Sequence, residues 1–415
     1  MLESSRMQAK IRARFVRLAG LSLVLILLIS ACTVSKHLPQ ITPATLPDFT
    51  ATPNLIQRQT MAAANATPTP VPSPTPWPVA TATPSSILIK DLAAEGMNPL
   101  TGLPVDDQTL LQQRPVLVKI ANWPQSLRPA AGLNQADLVF EYYIGAQTNH
   151  FLAVYHGQDA EQVGPLAPAR MVDARLSEHY QGIFAYASAD STVDHVLSEV
   201  LPGRAFVRGF TPCPAMCNLT DAGGENTYVN TGAVQELYQT ENPNGDDINL
   251  SGLSFDSRLT QWDAEAQQVS YLYADFSVMQ WDYDPQSGQY LLSQDYAAPD
   301  GSISIAPSYD RIDGTPIAFD NIIILFANYF EYGAARYDID FREGDPHQQA
   351  LVLRDGKLLY GTWIAPDPFT PIQLKDVSGQ PLALKPGRSW VVFVTTQTNA
   401  TEVEPGIWEI FFSLN

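Results

Sequence analysis

Seven polar residues in the first half of the chain carry the strongest chemical signal: Arg128, Glu141, Arg170, Asp173, Arg208, Asn226 and Tyr228. Each stands near Gly, Pro or the end of an apolar run, where α/β scaffolds place binding and catalytic groups. Arg170 closes the stiff loop Gly164-Pro-Leu-Ala-Pro-Ala. Its planar guanidinium suits a forked contact to a carboxylate or phosphate. The competing use is structural, an Arg–Glu pair such as Arg170 with Glu141 that fixes the loop. These seven are ligand-binding candidates, and a hydrolytic site near Glu141, Arg170 and Asp173 is the alternative.

Other chemistry is weaker. The chain has six histidines, His37, His150, His156, His179, His195 and His347, and nothing like Gly-x-Ser-x-Gly. His150 and His156 flank one apolar run. Six residues apart on a strand, they share a face but stand about 20 Å apart, too far to share a metal. Cys213 and Cys217 read Cys-Pro-Ala-Met-Cys with no second Cys or His pair nearby, a poor zinc pattern. In an oxidising compartment a local disulfide stapling a small loop is expected, with free thiols the alternative. No metal or cofactor is expected. Trp281, Tyr283, Tyr329, Tyr360, Trp363 and Trp390 admit a carbohydrate platform, although at strand spacing such residues more often form core or cross-strand pairs.

The elements that would position these groups fall into two kinds. Pro115–Ala121, Ala136–Tyr143 and Phe151–His156 read as strands, with Gly145 and Asn149 marking a turn. Val172–Gln181 has helical spacing, Ile183–Ala187 is strand-like, and Thr192–Leu201 is helical with Ser191 as its cap. Strands alternating with helices predict a mixed α/β layer. Beyond Asn242-Pro-Asn-Gly-Asp-Asp, apolar runs at 270–274, 278–283, 290–292, 321–327, 350–353, 357–363 and 390–394 predict a mostly antiparallel β half. Asp355-Gly356 between two runs is a strong hairpin signal.

The N-terminus is of another character. Arg6, Lys10, Arg12, Arg14 and Arg17 precede an apolar run from Leu18 to Ile29, then Ser30-Ala31-Cys32. A basic segment, a short apolar core and small residues before a cleavage point define a secretory signal. The run is roughly 12 residues, short of the ~20 that span a bilayer. A cysteine at the cleavage point takes acyl chains in bacterial lipoproteins, and two or more chains hold a protein firmly at a membrane. Removing residues 1–31 takes away five basic residues and one acid, so the net charge moves from −19 to −23. Such a surface repels phosphate backbones, and nucleic acid is not an expected partner. Residues 33–86 hold eleven of the 33 prolines and only Lys36, Asp48 and Arg58 as charges. Proline lacks the N–H for helix or ladder, so this stretch is expected to be a disordered stalk reaching on the order of 100 Å.

The ordered set of motifs from Asn98 to Val394 resembles the YerB-like bacterial lipoproteins, which carry a two-part domain of unknown function. Asn98-Pro-Leu-Thr-Gly-Leu-Pro, Arg114-Pro115, Arg128-Pro129, Gly132-Leu133, Ala136-Asp137, Glu141, Gly164-Pro165, Ala169-Arg170 and Asn226-Thr-Tyr228 are similar to its first part. Trp281, Asn321-Ile-Ile, Leu353-Arg-Asp-Gly-Lys, Gly361-Thr-Trp363 and Leu384-Lys-Pro-Gly resemble its second. The chain departs from that pattern at Ala167, where a second Arg is usual, and at Tyr186 and Glu225, where His is usual. The resemblance implies location and architecture more than mechanism.

The expected fold class is therefore α+β. A signal peptide (1–31) and a lipid-anchored Pro/Thr-rich linker (32–86) precede an N-terminal α/β domain (87–245) and a C-terminal β-rich domain (246–415). The expected role is a binding or scaffolding module on the extracytoplasmic face of the cell membrane, held by Cys32, with cell-wall material or an envelope protein as ligand.

Overall fold

The computed structural model describes residues 92–219, 226–243, 248–298 and 300–414. The signal segment, Cys32, the Pro/Thr-rich stretch and the boundary near 245 lie outside the described residues.

The first half supplies β1 (Val116–Ala121), β2 (Leu138–Gly145), β3 (Thr148–Tyr155), β4 (Ile183–Tyr186) and β5 (Ala205–Val207). It also supplies α1 (Met171–His179), α2 (Ser191–Val200) and α3 (Thr231–Glu241). The second half supplies β6 (Gln268–Ala274), β7 (Ser277–Asp284), β8 (Gln289–Ala297), β9 (Ile303–Pro307), β10 (Asn321–Gly333) and β11 (Arg336–Asp340). It continues with β12 (Gln348–Arg354), β13 (Lys357–Ile364), β14 (Gln373–Asp376), β15 (Ser389–Thr395), β16 (Asn399–Glu404) and β17 (Ile407–Phe411). β1, β2, β3 and β15 are apolar runs whose β-branched and aromatic residues suit a pleated, buried surface, while β7 and β8 alternate apolar and polar residues.

Both halves are laid into one large sheet, ordered β14-β13-β12-β10-β15-β2-β3-β1-β4-β5. The join is a parallel pairing of β2 with β15, Leu138 opposite Ser389 through Glu141 opposite Val392. On its other side β15 runs parallel to β10 over seven pairs. Val391, Val392, Phe393 and Val394 are buried on both sides of the sheet, as a central parallel strand requires. A smaller sheet, β9-β8-β7-β6-β17-β16, packs on one face of the large one. Helices α1 and α2 cover the opposite face. The first half pairs both parallel and antiparallel and the second mostly antiparallel; the described residues are mostly strand with few helices, in keeping with the expected α+β class. Among the described residues no helix is long and apolar enough to cross a membrane.

Two local readings are corrected. The β2–β3 turn is made by Ala146 and Gln147, both at positive φ (51° and 60°), and Asn149 belongs inside β3, buried. Helix α2 is capped by Asp190, whose carboxylate accepts from Thr192 N at 2.9 Å and Val193 N at 3.2 Å; Ser191 is its first helical residue. The hairpin at Asp355-Gly356 forms as expected, with φ of 54° and 71°, the mirror-image turn that matches strand twist. Trp281, Trp363 and Trp390 are wholly buried, so these three are core rather than platform.

The turn allows a direct check. A Cβ on Gly356 would stand 2.8 Å from the Tyr283 ring and from Gln267 Nε2, whereas one on Gly379, at φ 82°, meets nothing within 4 Å. Gly379→Ala should cost about 1 kcal/mol of strain alone. Gly356→Ala should cost about 2–3 kcal/mol, adding overpacking to strain. Urea unfolding of the two variants measures the gap; equal losses would mean the close approach at Gly356 is unimportant.

Candidate functional site

Strand alternation places neighbouring residues on opposite faces, and on β2 this separates two polar centres. Glu141 faces the smaller sheet and is wholly buried. Its Oε1 accepts from Asn149 Nδ2 at 2.5 Å and from the Tyr273 hydroxyl at 3.0 Å, while Oε2 accepts from Trp390 Nε1 at 2.7 Å. β2, β3, β6 and β15 therefore meet at one carboxylate. Burial pushes its pKa from 4.5 up to about 7, against the three donors and the more distant Arg128, which pull it down.

A line of side chains runs from this carboxylate to the surface. Asn122 Nδ2 donates to Asn149 Oδ1 at 2.8 Å, and Gln294 Nε2 donates to Asn122 Oδ1 at 2.9 Å. The Ser308 hydroxyl donates to Gln294 Oε1 at 3.0 Å. Every step donates inward, so Glu141 is the terminal acceptor of the series. Asn122, Gln294 and Ser308 open on a cleft of about 430 Å³ whose walls include Arg128, Phe151, Tyr296, Tyr309 and Ile317. Tyr296 and Tyr309 are 58% and 41% exposed. Arg128 is held by its own loop and by β8: Nε donates to Asn122 O at 2.9 Å and Nη1 to Asp295 O at 2.8 Å. It also forms an ion pair with the buried Asp295 carboxylate at 3.2 Å. A rigid cation, two side-chain amides and a hydroxyl beside apolar walls suit a ligand that carries amide or carboxylate groups.

The second centre lies on the helix face. Lys119 Nζ is 2.6 Å from the Tyr142 hydroxyl and 3.2 Å from Asp173 Oδ1, and Tyr142 also hydrogen-bonds Asp173. Burial lowers Lys119 from 10.5 to about 8, opposed by Asp173, and raises Asp173 to about 6, opposed by Lys119. His150, cross-strand neighbour of Tyr142, is pushed well below its ordinary value by burial and by the charges of Lys119 and Arg170. Lys119 and Asp173 are fully buried. This centre ties α1 to the sheet, because Asp173 also accepts from Arg170 N at 2.6 Å at the helix start.

The seven candidate residues therefore divide. Arg128 belongs to the cleft and Glu141 to the line behind it. Asp173 and Arg170 belong to the opposite face, so a hydrolytic site uniting Glu141, Arg170 and Asp173 is ruled out by the sheet that separates them. The expected Arg170–Glu141 pair does not form; the Arg170 guanidinium bonds Ala169 O at 3.2 Å. Tyr228 is buried and its hydroxyl accepts from Arg311. Asn226 is half-buried at the start of the short strand Thr227–Val229, and Arg208 lies in the loop after β5 beside the exposed Phe210. Cys213 and Cys217 are joined as a disulfide. Among the described residues no three His, Cys, Asp or Glu side chains gather to hold a metal ion. Sequence reasoning missed Asn122, Asn149, Tyr273, Gln294, Ser308 and Lys119. Lys119, a lone cation inside Val-Leu-Val-Lys-Ile-Ala, was the clearest available signal.

The two halves of the chain share one sheet, joined at the β2–β15 pairing beside Glu141, and comparison with known proteins gives the family. The model “Protein of unknown function (DUF3048) N-terminal domain” matches residues 100–242, and its C-terminal counterpart matches 268–391. A Bacillus subtilis (strain 168) protein designated “Putative lipoprotein YerB” is 27% identical over 325 residues, 75% of this chain and 87% of its own. The crystal structure of the YerB protein from Bacillus subtilis has a similar fold, with a TM-score of 0.57 and 24% identity over 72% of this chain and 96% of that one. The chain belongs to the YerB-like family of two-part DUF3048 proteins.

The raised pKa of Glu141 sets a pH dependence. An acid that holds its proton more tightly when folded contributes most below its unfolded value and loses that contribution as pH rises through the folded value. Between pH 4.5 and 8 the wild type should lose about 3 kcal/mol through this group, 1.36 kcal/mol for each unit between 4.5 and about 7. Glu141→Gln removes the titration, so its stability relative to wild type should rise by that amount over the same range. Urea unfolding at several pH values checks this; a difference that stays constant with pH would show that Glu141 does not titrate as described.

Proposed function

We propose that this chain is a membrane-anchored envelope lipoprotein that binds a peptide-bearing ligand, cell-wall material or an extended segment of an envelope protein, in the cleft at the join of its two halves. The observation that carries the reading is the amide line Ser308–Gln294–Asn122–Asn149 ending at Glu141. Amide side chains offer a donor and an acceptor together, the complement of a peptide group. Fixed in series by a buried carboxylate, they lose little further freedom on binding. Beside the cleft runs β9, the edge strand of the smaller sheet, with Ile303 and Ile305 exposed at 43% and 41%. An extended peptide can add to such an edge through its backbone while its side chains enter the neighbouring cleft. The lipid anchor is supported by Ser30-Ala31-Cys32 after a short apolar run and by the name of the Bacillus subtilis relative.

Two experiments test the two parts. Cys32→Ser should move the protein out of the membrane fraction, and unchanged fractionation would remove the anchor from the reading. For the cleft, the mature chain without its acyl anchor is titrated with soluble peptidoglycan fragments that keep their stem peptides. Loss of one hydrogen-bonding group is worth about 1–1.5 kcal/mol, so Gln294→Ala should weaken binding roughly tenfold. Ser308→Ala should act in the same direction. Equal affinity in both variants would exclude the cleft.

A further inference from the structure

The large sheet ends at β14 in a second cleft, of about 630 Å³, between residues 256–263 and 376–383. Two aromatic side chains are exposed in its walls, Trp262 at 48% and Tyr360 at 44%, in a protein whose Trp281, Trp363 and Trp390 are wholly buried. Exposed aromatic surface gathered in a concave place marks a site of interaction more often than an accident of packing. The Trp262 ring and the backbone of Tyr360 are held in place. Asp263 Oδ2 accepts from Tyr360 N at 2.7 Å, which ties the Trp262 segment to β13. Lys357 Nζ lies 4.6 Å from the Trp262 ring centroid and is itself paired with Glu265 at 2.5 Å. The cation covers one face of the indole and fixes it.

Polar groups interleave with these rings. Arg258, Gln261 and Asp263 line the same cleft, and Arg354 contributes to its wall. The Arg354 side chain is buried: Nε donates to Asp355 at 2.9 Å, and Nη1 to Asp256 O at 2.8 Å and Ala383 O at 3.2 Å. Its Nη2 is buried without an acceptor among the described residues. The three bonds fix the guanidinium as a rigid part of the cleft wall.

We propose that this cleft is a carbohydrate site, taking a glycan strand with one sugar ring stacked on Trp262. A pyranose presents a flat C–H face to an aromatic ring and hydroxyl groups at its rim, where planar amide, carboxylate and guanidinium groups meet them. Asp256, Asp263 and Asp376 in the same walls oppose a phosphate-bearing ligand. The site lies on other strands than the cleft at the join and stands or falls apart from it.

The test titrates the mature chain with the β-1,4-linked tetramer of N-acetylglucosamine, followed by calorimetry and tryptophan fluorescence. Binding is expected together with a change in emission. Trp262→Ala should weaken it at least tenfold and Tyr360→Ala several-fold, with a cooperative unfolding transition and the far-UV signal retained, since about half of each residue is exposed. Trp262→Phe keeps a ring and should restore part of the affinity. Gln294→Ala, in the other cleft, should bind the sugar as the wild type does. No binding at millimolar sugar, or equal affinity in Trp262→Ala and the wild type, overturns the proposal. Loss of sugar binding in Gln294→Ala would also overturn it, by assigning the sugar to the join.

Discussion

A single carboxylate is shared by strands that are distant in the chain. Glu141 on β2 takes hydrogen bonds from β3, from β6 in the smaller sheet and from β15 in the second half, and among the described residues no cation pairs with it directly, Arg128 acting from further off. Taking a carboxylate out of water costs several kcal/mol, and hydrogen bonds to a charged group return roughly 1.5–3 kcal/mol each. The three donors offset much of that cost but not all of it, which is why burial still raises the pKa to about 7, and the loss of any one would raise it further. The pairing of β2 with β15 and the packing of the two sheets are thereby coupled. Trp390 strengthens the coupling, since its N–H serves Glu141 while its ring packs edge-to-face against Phe151 and Phe319 and tilted against Trp281, at centroid distances of 4.8, 5.2 and 5.1 Å.

The same strand sends Tyr142 the other way, into a centre of opposite design. There Lys119 and Asp173 neutralise each other, and each holds the other's pKa closer to its ordinary value against burial. A paired, fully enclosed charge of this kind fixes geometry, here the seat of α1, and offers nothing to a ligand. Glu141 differs in that its partners are neutral and lead outward. Polar contacts on the two faces of one sheet thus do different work, structural on the helix side and outward-facing on the side of the smaller sheet.

Much of the secondary structure was legible because strands such as β1, β2, β3 and β15 are nearly continuous apolar runs and the turns carry their own chemistry, as at Asp355-Gly356. What escaped had weak local patterns. β9 and β16 are edge strands with mixed polarity, and α3 begins at an Asn230 cap whose side chain accepts from Ala233 N, with no amphipathic run strong enough to mark it. The place of β15 at the centre of the large sheet was also hidden, since a fully apolar strand reports burial on both faces but not its neighbours. The site was legible one residue at a time. Arg128 and Glu141 stood out by type and position, yet Asn122 meets Gln294 across 172 residues of chain. Asn149 resembled a turn residue until the fold put it inside β3. Local sequence encodes the strands; the amide line exists only once β1, β3 and β8 converge.

That convergence also bears on what the cleft at the join can do. The hydroxyl nearest the surface, Ser308, donates to an amide oxygen, and an amide oxygen takes up no proton near neutral pH. Glu141, whose pKa of about 7 suits proton transfer, sits behind three amide side chains that carry hydrogen bonds but do not exchange protons readily. A hydroxyl at the mouth and a carboxylate at the far end are joined only by amides, which carry hydrogen bonds rather than protons. The chemistry of the line therefore suits the proposed recognition role, with the buried carboxylate setting the orientation of every amide between itself and the cleft.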